Sequence, residues 1–80
     1  MDTYTAVKKR LVYLCEEKNI TINKLAYESA VAPSTIKNIL YGKSKNPGIV
    51  TLKMLCDGMG ISLTEFFDTP EFRELEQEIR

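Results

Sequence analysis

Apolar residues return at helical intervals from the start of the chain. Val7, Leu11, Leu14 and Cys15 stand at i, i+4, i+7 and i+8, with Lys8, Lys9, Glu16 and Glu17 off that stripe. The spacing predicts a helix over about residues 5–18, ended by Asn19. Thr21 then offers a hydroxyl to the free N–H groups of a new first turn. A second helix follows over residues 22–29, with Ile22, Leu25 and Ala26 inward. Pro33 suits the first position of a third helix, where its missing N–H costs nothing. That helix spans residues 33–41 with Ile36, Ile39 and Leu40 as its apolar side, and Gly42 is placed to stop it in a left-handed conformation.

Lys43 to Gly48 read as a polar loop, punctuated by Pro47 and Gly48. The fourth helix is expected over residues 49–58, with Leu52, Leu55, Cys56 and Met59 in line. Ser62 and Glu65 fit the spacing of a capping box before a short fifth helix at residues 63–67. Thr69-Pro70 opens a sixth helical candidate, residues 70–79, with Phe72, Leu75 and Ile79 on one side. No strand pattern, repeat or low-complexity stretch interrupts this series. The fold class is therefore all-α, with a core expected from Val7, Leu11, Leu14, Leu25, Ala26, Val31, Ile36, Ile39, Leu40, Leu52, Leu55, Met59, Ile61, Leu63 and Phe66.

Eighty residues suit one domain. The net charge is zero, which at first argues against a nucleic-acid partner, but the charges are unevenly spread. Residues 1–60 hold nine Lys/Arg against five Asp/Glu, a balance of +4, while residues 61–80 hold two Arg against six Asp/Glu, a balance of −4. An acidic tail thus masks a mildly basic body. No apolar run approaches the ~20 residues of a membrane span. The first residues lack a basic region followed by an apolar block, so no secretory signal is expected and the cytoplasm is the expected compartment.

The chemical inventory points away from catalysis. There is no histidine, no nucleotide-binding glycine motif, and no nucleophile with an adjacent base. Cys15 and Cys56 form no metal-binding spacing and read as reduced, apolar-facing thiols. The chain is expected not to be an enzyme and to need no metal or cofactor.

The informative stretch is residues 21–41: two short helices joined across Ser29-Ala30-Val31-Ala32, the second with a polar outer side. Ser34, Lys37, Asn38 and Tyr41 lie on that side. Lysine suits guanine O6 and N7, and asparagine suits adenine N6 and N7. From spacing alone, Lys37 and Asn38 read first as ordinary solvent-facing residues. The four tyrosines, Tyr4, Tyr13, Tyr27 and Tyr41, read as boundary packing.

The segment ITINKLAYESAVAPSTIKNILYGKSKNPGIVTLKMLCDGMGISLTEFF resembles the Cro/repressor (XRE-type) helix-turn-helix domain. The matching features, in order, are Leu25-Ala26, Val31-x-Pro-Ser-Thr-Ile, Gly42-Lys43, Pro47, Leu52, Leu55, Gly60-Ile-Ser-Leu and Phe66-Phe67. With the first helix included, the resemblance covers roughly residues 7–67. It implies a five-helix, lambda-repressor-like bundle, to which this chain adds a short C-terminal helix. It implies double-stranded DNA as partner and transcriptional regulation, as a repressor of phage-repressor or antitoxin type. A protein-interaction module on the same fold is the alternative reading.

Carried over by position, Pro33, Ser34, Lys37 and Asn38 are the base-reading candidates. Thr21, Asn23, Tyr41, Lys43, Ser44 and Lys45 are the phosphate-contacting candidates. Three positions depart from the family pattern. Ile22 replaces a frequent glutamine that helps hold phosphate. Ala30 replaces a turn glycine, and an alanine with positive φ costs roughly 1 kcal/mol. Ala32 replaces a capping serine or threonine, a loss of about 1 kcal/mol. Two units are expected: the helix-turn-helix domain, residues 1–68, and an acidic amphipathic tail helix, residues 69–80. Phe67, Phe72, Leu75 and Ile79 supply either a homodimer seam or packing within the chain.

Overall fold

The computed structural model describes residues 1–79. Arg80, the end of the expected tail unit, lies outside the described residues. Six helices follow one another: α1 (Thr3–Glu17), α2 (Ile22–Ser29), α3 (Pro33–Leu40), α4 (Ile49–Met59), α5 (Leu63–Phe67) and α6 (Pro70–Arg73). No strand occurs among the described residues.

Helix ends are set by local chemistry. α1 begins two residues before the expected start, because the Asp2 carboxylate accepts the Thr5 N–H at 2.8 Å and caps the first turn. It stops where Asn19 turns left-handed, φ 54°, and the Ile20 N–H returns to the Cys15 carbonyl at 3.0 Å. Thr21 Oγ1 accepts the Lys24 N–H at 3.1 Å, as its spacing predicts. Ser62 likewise accepts the Glu65 N–H at 3.0 Å at the start of α5. Ala30 is left-handed, φ 57° and ψ 33°, at the end of α2, and Ala32 gives α3 no side-chain cap. Gly42 is left-handed, φ 86°, one residue after Tyr41, which closes α3.

Two expected boundaries are corrected. α4 does not stop at Gly58 but continues to Met59, and Gly60, φ 74°, ends it. The sixth helix does not run to residue 79: it ends at Arg73, and residues 75–79 are non-helical. A full helix there would crowd Glu74, Glu76 and Glu78 toward its negative C-terminal end. It would also be too short to stand alone. The non-helical tail finds other partners. The Glu76 N–H donates to the Met1 carbonyl at 3.1 Å, and Glu78 Oε2 accepts the Thr3 N–H at 3.0 Å.

The core sits between the helices. Leu25, Leu55, Cys56 and Phe66 are fully buried in it, and Leu11, Ile36 and Ile39 almost so. Ala6 joins it beyond the expected set and Cys56 is buried as its place in the α4 stripe predicts, while Leu40 and Leu63 are only partly buried. α2 packs closely on α4, where Gly58 meets Ser29. Arg10 ties α1 to α5: its Nε donates to the Phe66 carbonyl at 2.8 Å and its Nη2 to the Glu65 carbonyl at 2.9 Å. Both carbonyls lie in the last turn of α5, where the Glu65 carbonyl also accepts the Asp68 N–H at 3.3 Å, and a cation satisfies their remaining acceptor capacity well.

Candidate nucleic-acid interface

α3 owes its placement to its apolar side. Ile36 and Ile39 are buried and Leu40 half-buried, so the remaining side must face outward. Pro33, Ser34, Lys37, Asn38 and Tyr41 are all exposed there. The structure thus brings the four base-reading candidates and one phosphate candidate to a single helix face. Tyr41 is 72% exposed and Tyr27, on α2, is 82% exposed. Tyr13 is also exposed, and only Tyr4 is half-buried, which corrects the expectation of boundary packing for the other three.

Thr21 and Asn23 stand exposed at the start of α2. The Thr21 hydroxyl oxygen is engaged as the cap, but its O–H remains able to donate. Ile22 between them packs partly against the core. It supplies no polar group to the surface.

The loop after α3 is folded back on the helix rather than loose. The Ser44 N–H donates to the Asn38 carbonyl at 2.9 Å, which holds Ser44 half-buried and leaves Lys43 and Lys45 exposed on either side. Behind this loop, the Tyr4 hydroxyl donates to the Ile39 carbonyl at 2.6 Å. The bond fixes the start of α1 against the end of α3, a contact absent from the sequence reading because its partners are 35 residues apart. Asp2 is held below the usual carboxylate range, first by its hydrogen bonds to Thr5 and further by nearby positive charge that includes Lys45.

The residues of the expected seam are divided. Phe66, Phe67 and Phe72 form an aromatic cluster within the chain. Phe67 lies edge-on to Phe66 and Phe72, with centroid distances of 5.0 and 4.9 Å. Leu75 is half-buried, and Ile79 is 80% exposed. Phe72 therefore packs on its own α5.

Cys56 is buried and Cys15 half-buried, and both are free thiols whose pKa is raised by burial. Among the described residues, no group of three potential metal ligands comes together. No helix among them is long and apolar enough to cross a membrane.

The Cro/C1-type HTH DNA-binding domain family matches residues 10–71 of the chain. A crystal structure of the prophage Lp1 protein 11 is similar, at 36% identity and a TM-score of 0.80, over 94% of this chain and all of that one. The wild-type restriction-modification controller protein C.Esp1396I is similar at 26% identity and a TM-score of 0.74, over 80% of this chain and 81% of that one. No curated protein sequence matches significantly. With the family match spanning most of the chain and a solved relative over nearly all of it, the chain belongs to the Cro/C1-type helix-turn-helix DNA-binding family.

Proposed function

We propose that the protein is a sequence-specific transcriptional regulator that places α3 in the major groove of double-stranded DNA. Pro33, Ser34, Lys37 and Asn38 read bases. Thr21, Asn23, Tyr41, Lys43, Ser44 and Lys45 hold phosphates and so fix the register in which bases are read. The observation that carries this reading is the division of α3: one side is fixed in the core, and the other presents exposed donors and acceptors. Membership in a DNA-binding family supports it. The protein acts in the cytoplasm as a repressor, without a catalytic step or a cofactor. Similarity to a restriction-modification controller protein supports a regulatory role.

One recognition helix reads few base pairs, so the protein works as a symmetric homodimer on half-sites about 34–36 Å apart. Phe67 and Phe72 are engaged within the chain, which leaves Leu75 and Ile79 as the part of the expected seam that reaches a second copy. A second reading, a protein-docking module, is favoured by Ile49 and Val50, which are exposed at the start of α4. Selection from random duplexes, followed by binding at several salt concentrations, separates the two. A recovered consensus and a steep loss of affinity with salt support the regulator. Failure to retain any duplex at low salt sinks it.

A further inference from the structure

The tail reaches the edge of the proposed DNA face. Its non-helical segment meets the start of the chain: the Glu76 N–H donates to the Met1 carbonyl, and the Glu76 carboxylate is 3.6 Å from the Met1 ammonium. Glu78 Oε2 accepts the Thr3 N–H at 3.0 Å, in the first turn of α1. The start of α1 is itself bound to the end of α3 through Tyr4 and Ile39. Glu78, Asp2 and Thr3 consequently line one cleft together with Lys45 and Asn46 of the loop after α3. Two carboxylates thus share a cleft with a lysine that the preceding section assigns to phosphate.

We propose that the acidic tail is an intramolecular competitor for the DNA backbone, with the Glu76 carboxylate anchoring it at Met1 and the Glu78 carboxylate seated in the Lys45 cleft until phosphate displaces these two side chains. The inference rests on the reading of Lys45 as a phosphate contact. Carboxylate and phosphate oxygens are recognised by the same cationic and N–H donors. An anion already seated there must leave, or repel the phosphate that arrives. Each exposed pair is weak, but tethering gives the tail a high effective concentration at the cleft. The strap is itself electrostatic and loosens as salt rises. It therefore suppresses loose, sequence-independent binding most strongly at low salt and flattens the salt dependence of the intact protein. A well-matched site, with its additional base contacts, overcomes it more easily than random DNA does.

The test uses the full chain and a short random-sequence duplex. The double variant Glu76→Gln/Glu78→Gln is compared with Glu71→Gln/Glu74→Gln, which removes the same charge from exposed positions within and at the end of α6. The first is expected to bind about three- to tenfold tighter than wild type at about 50 mM salt, a gain that shrinks by about 200 mM. The second is expected to gain clearly less. Faster exchange of the Thr3 amide when duplex is added to wild type would show the Glu78 contact being released, and unchanged exchange would count against the strap. Equal gains in both double variants would reduce the effect to overall charge and overturn the proposal. Binding by wild type with no gain in either would overturn it while leaving the DNA-binding reading intact. No duplex binding by any form at low salt would overturn both.

Discussion

Gly58 of α4 lies directly against Ser29 of α2: a Cβ added at Gly58 would stand 2.8 Å from the Ser29 Cβ and 2.9 Å from its backbone nitrogen. Ser29 cannot retreat easily, since it is buried and its hydroxyl donates to the Leu25 carbonyl at 2.6 Å. In an open helix, Gly→Ala would stabilise by up to about 1 kcal/mol. Here overpacking wins, and Gly58→Ala is expected to destabilise by about 1–2 kcal/mol net. Urea denaturation checks it, and a stability equal to wild type would mean that α2 and α4 separate without penalty.

Leu25→Ala opens a cavity where α2 meets the rest of the core. Leu25 has no exposed surface, so a loss of about 2–5 kcal/mol is expected. Chemical denaturation that shows less than ~1 kcal/mol lost would require the surrounding side chains to collapse fully into the space.

The turn between α2 and α3 is not at its stability optimum. Ala30→Gly relieves the left-handed alanine, φ 57°, and is expected to stabilise by about 0.5–1 kcal/mol after the larger entropy of the unfolded chain is counted. Ala32→Ser restores a cap to α3, where none is present, and is expected to add about 1 kcal/mol. Thermal unfolding of each single variant reads both effects; lower midpoints than wild type would contradict them.

Base readers and phosphate holders are expected to separate in binding assays. Lys43→Ala or Lys45→Ala weakens all duplexes alike and lowers the salt slope by roughly 1 per lost contact. Asn38→Ala costs about 1–3 kcal/mol, mainly on the preferred site. Identical behaviour of both kinds of variant on specific and random DNA would dissolve the division.

Burial raises the pKa of both thiols, so the folded protein favours their protonated forms. Their contribution to stability is complete below the ordinary thiol pKa, about 8.5, and is lost as pH rises toward the folded values. With Ellman's reagent at mildly alkaline pH, both thiols should react more slowly than in denaturant. Half-buried Cys15 should precede buried Cys56. Immediate reaction of both would show that neither is shielded.

What the sequence made legible was mostly local. Thr21, Ser62 and Gly42 each act within a turn of their own position, and their roles are visible in a short window. The outer side of α3 was legible because its apolar partners repeat along the same helix. Gly58 reads as a stop only while Ser29 is out of sight, since the reason for a small residue lies in another helix. The tail's apolar spacing favours a helix to residue 79. Its observed path depends on Met1 and Thr3, at the opposite end of the chain. The capping role of Asp2 is not legible in the apolar pattern, because Asp2 precedes the stripe by several residues. The exposure of Tyr13, Tyr27 and Tyr41 is not legible either, because an aromatic ring fits a boundary and an open surface equally well by type.

The Tyr4–Ile39 bond has a bearing on engineering. A specificity swap that transplants only residues 21–41 into another scaffold would leave behind the hydroxyl that meets the Ile39 carbonyl. The last turn of the grafted helix would lose that donor, and the side chains nearest it, Asn38 and Tyr41, would inherit the looseness. The smallest portable reader in this protein therefore includes the beginning of α1, and Tyr4→Phe is the simplest way to measure how much aiming accuracy that hydroxyl supplies.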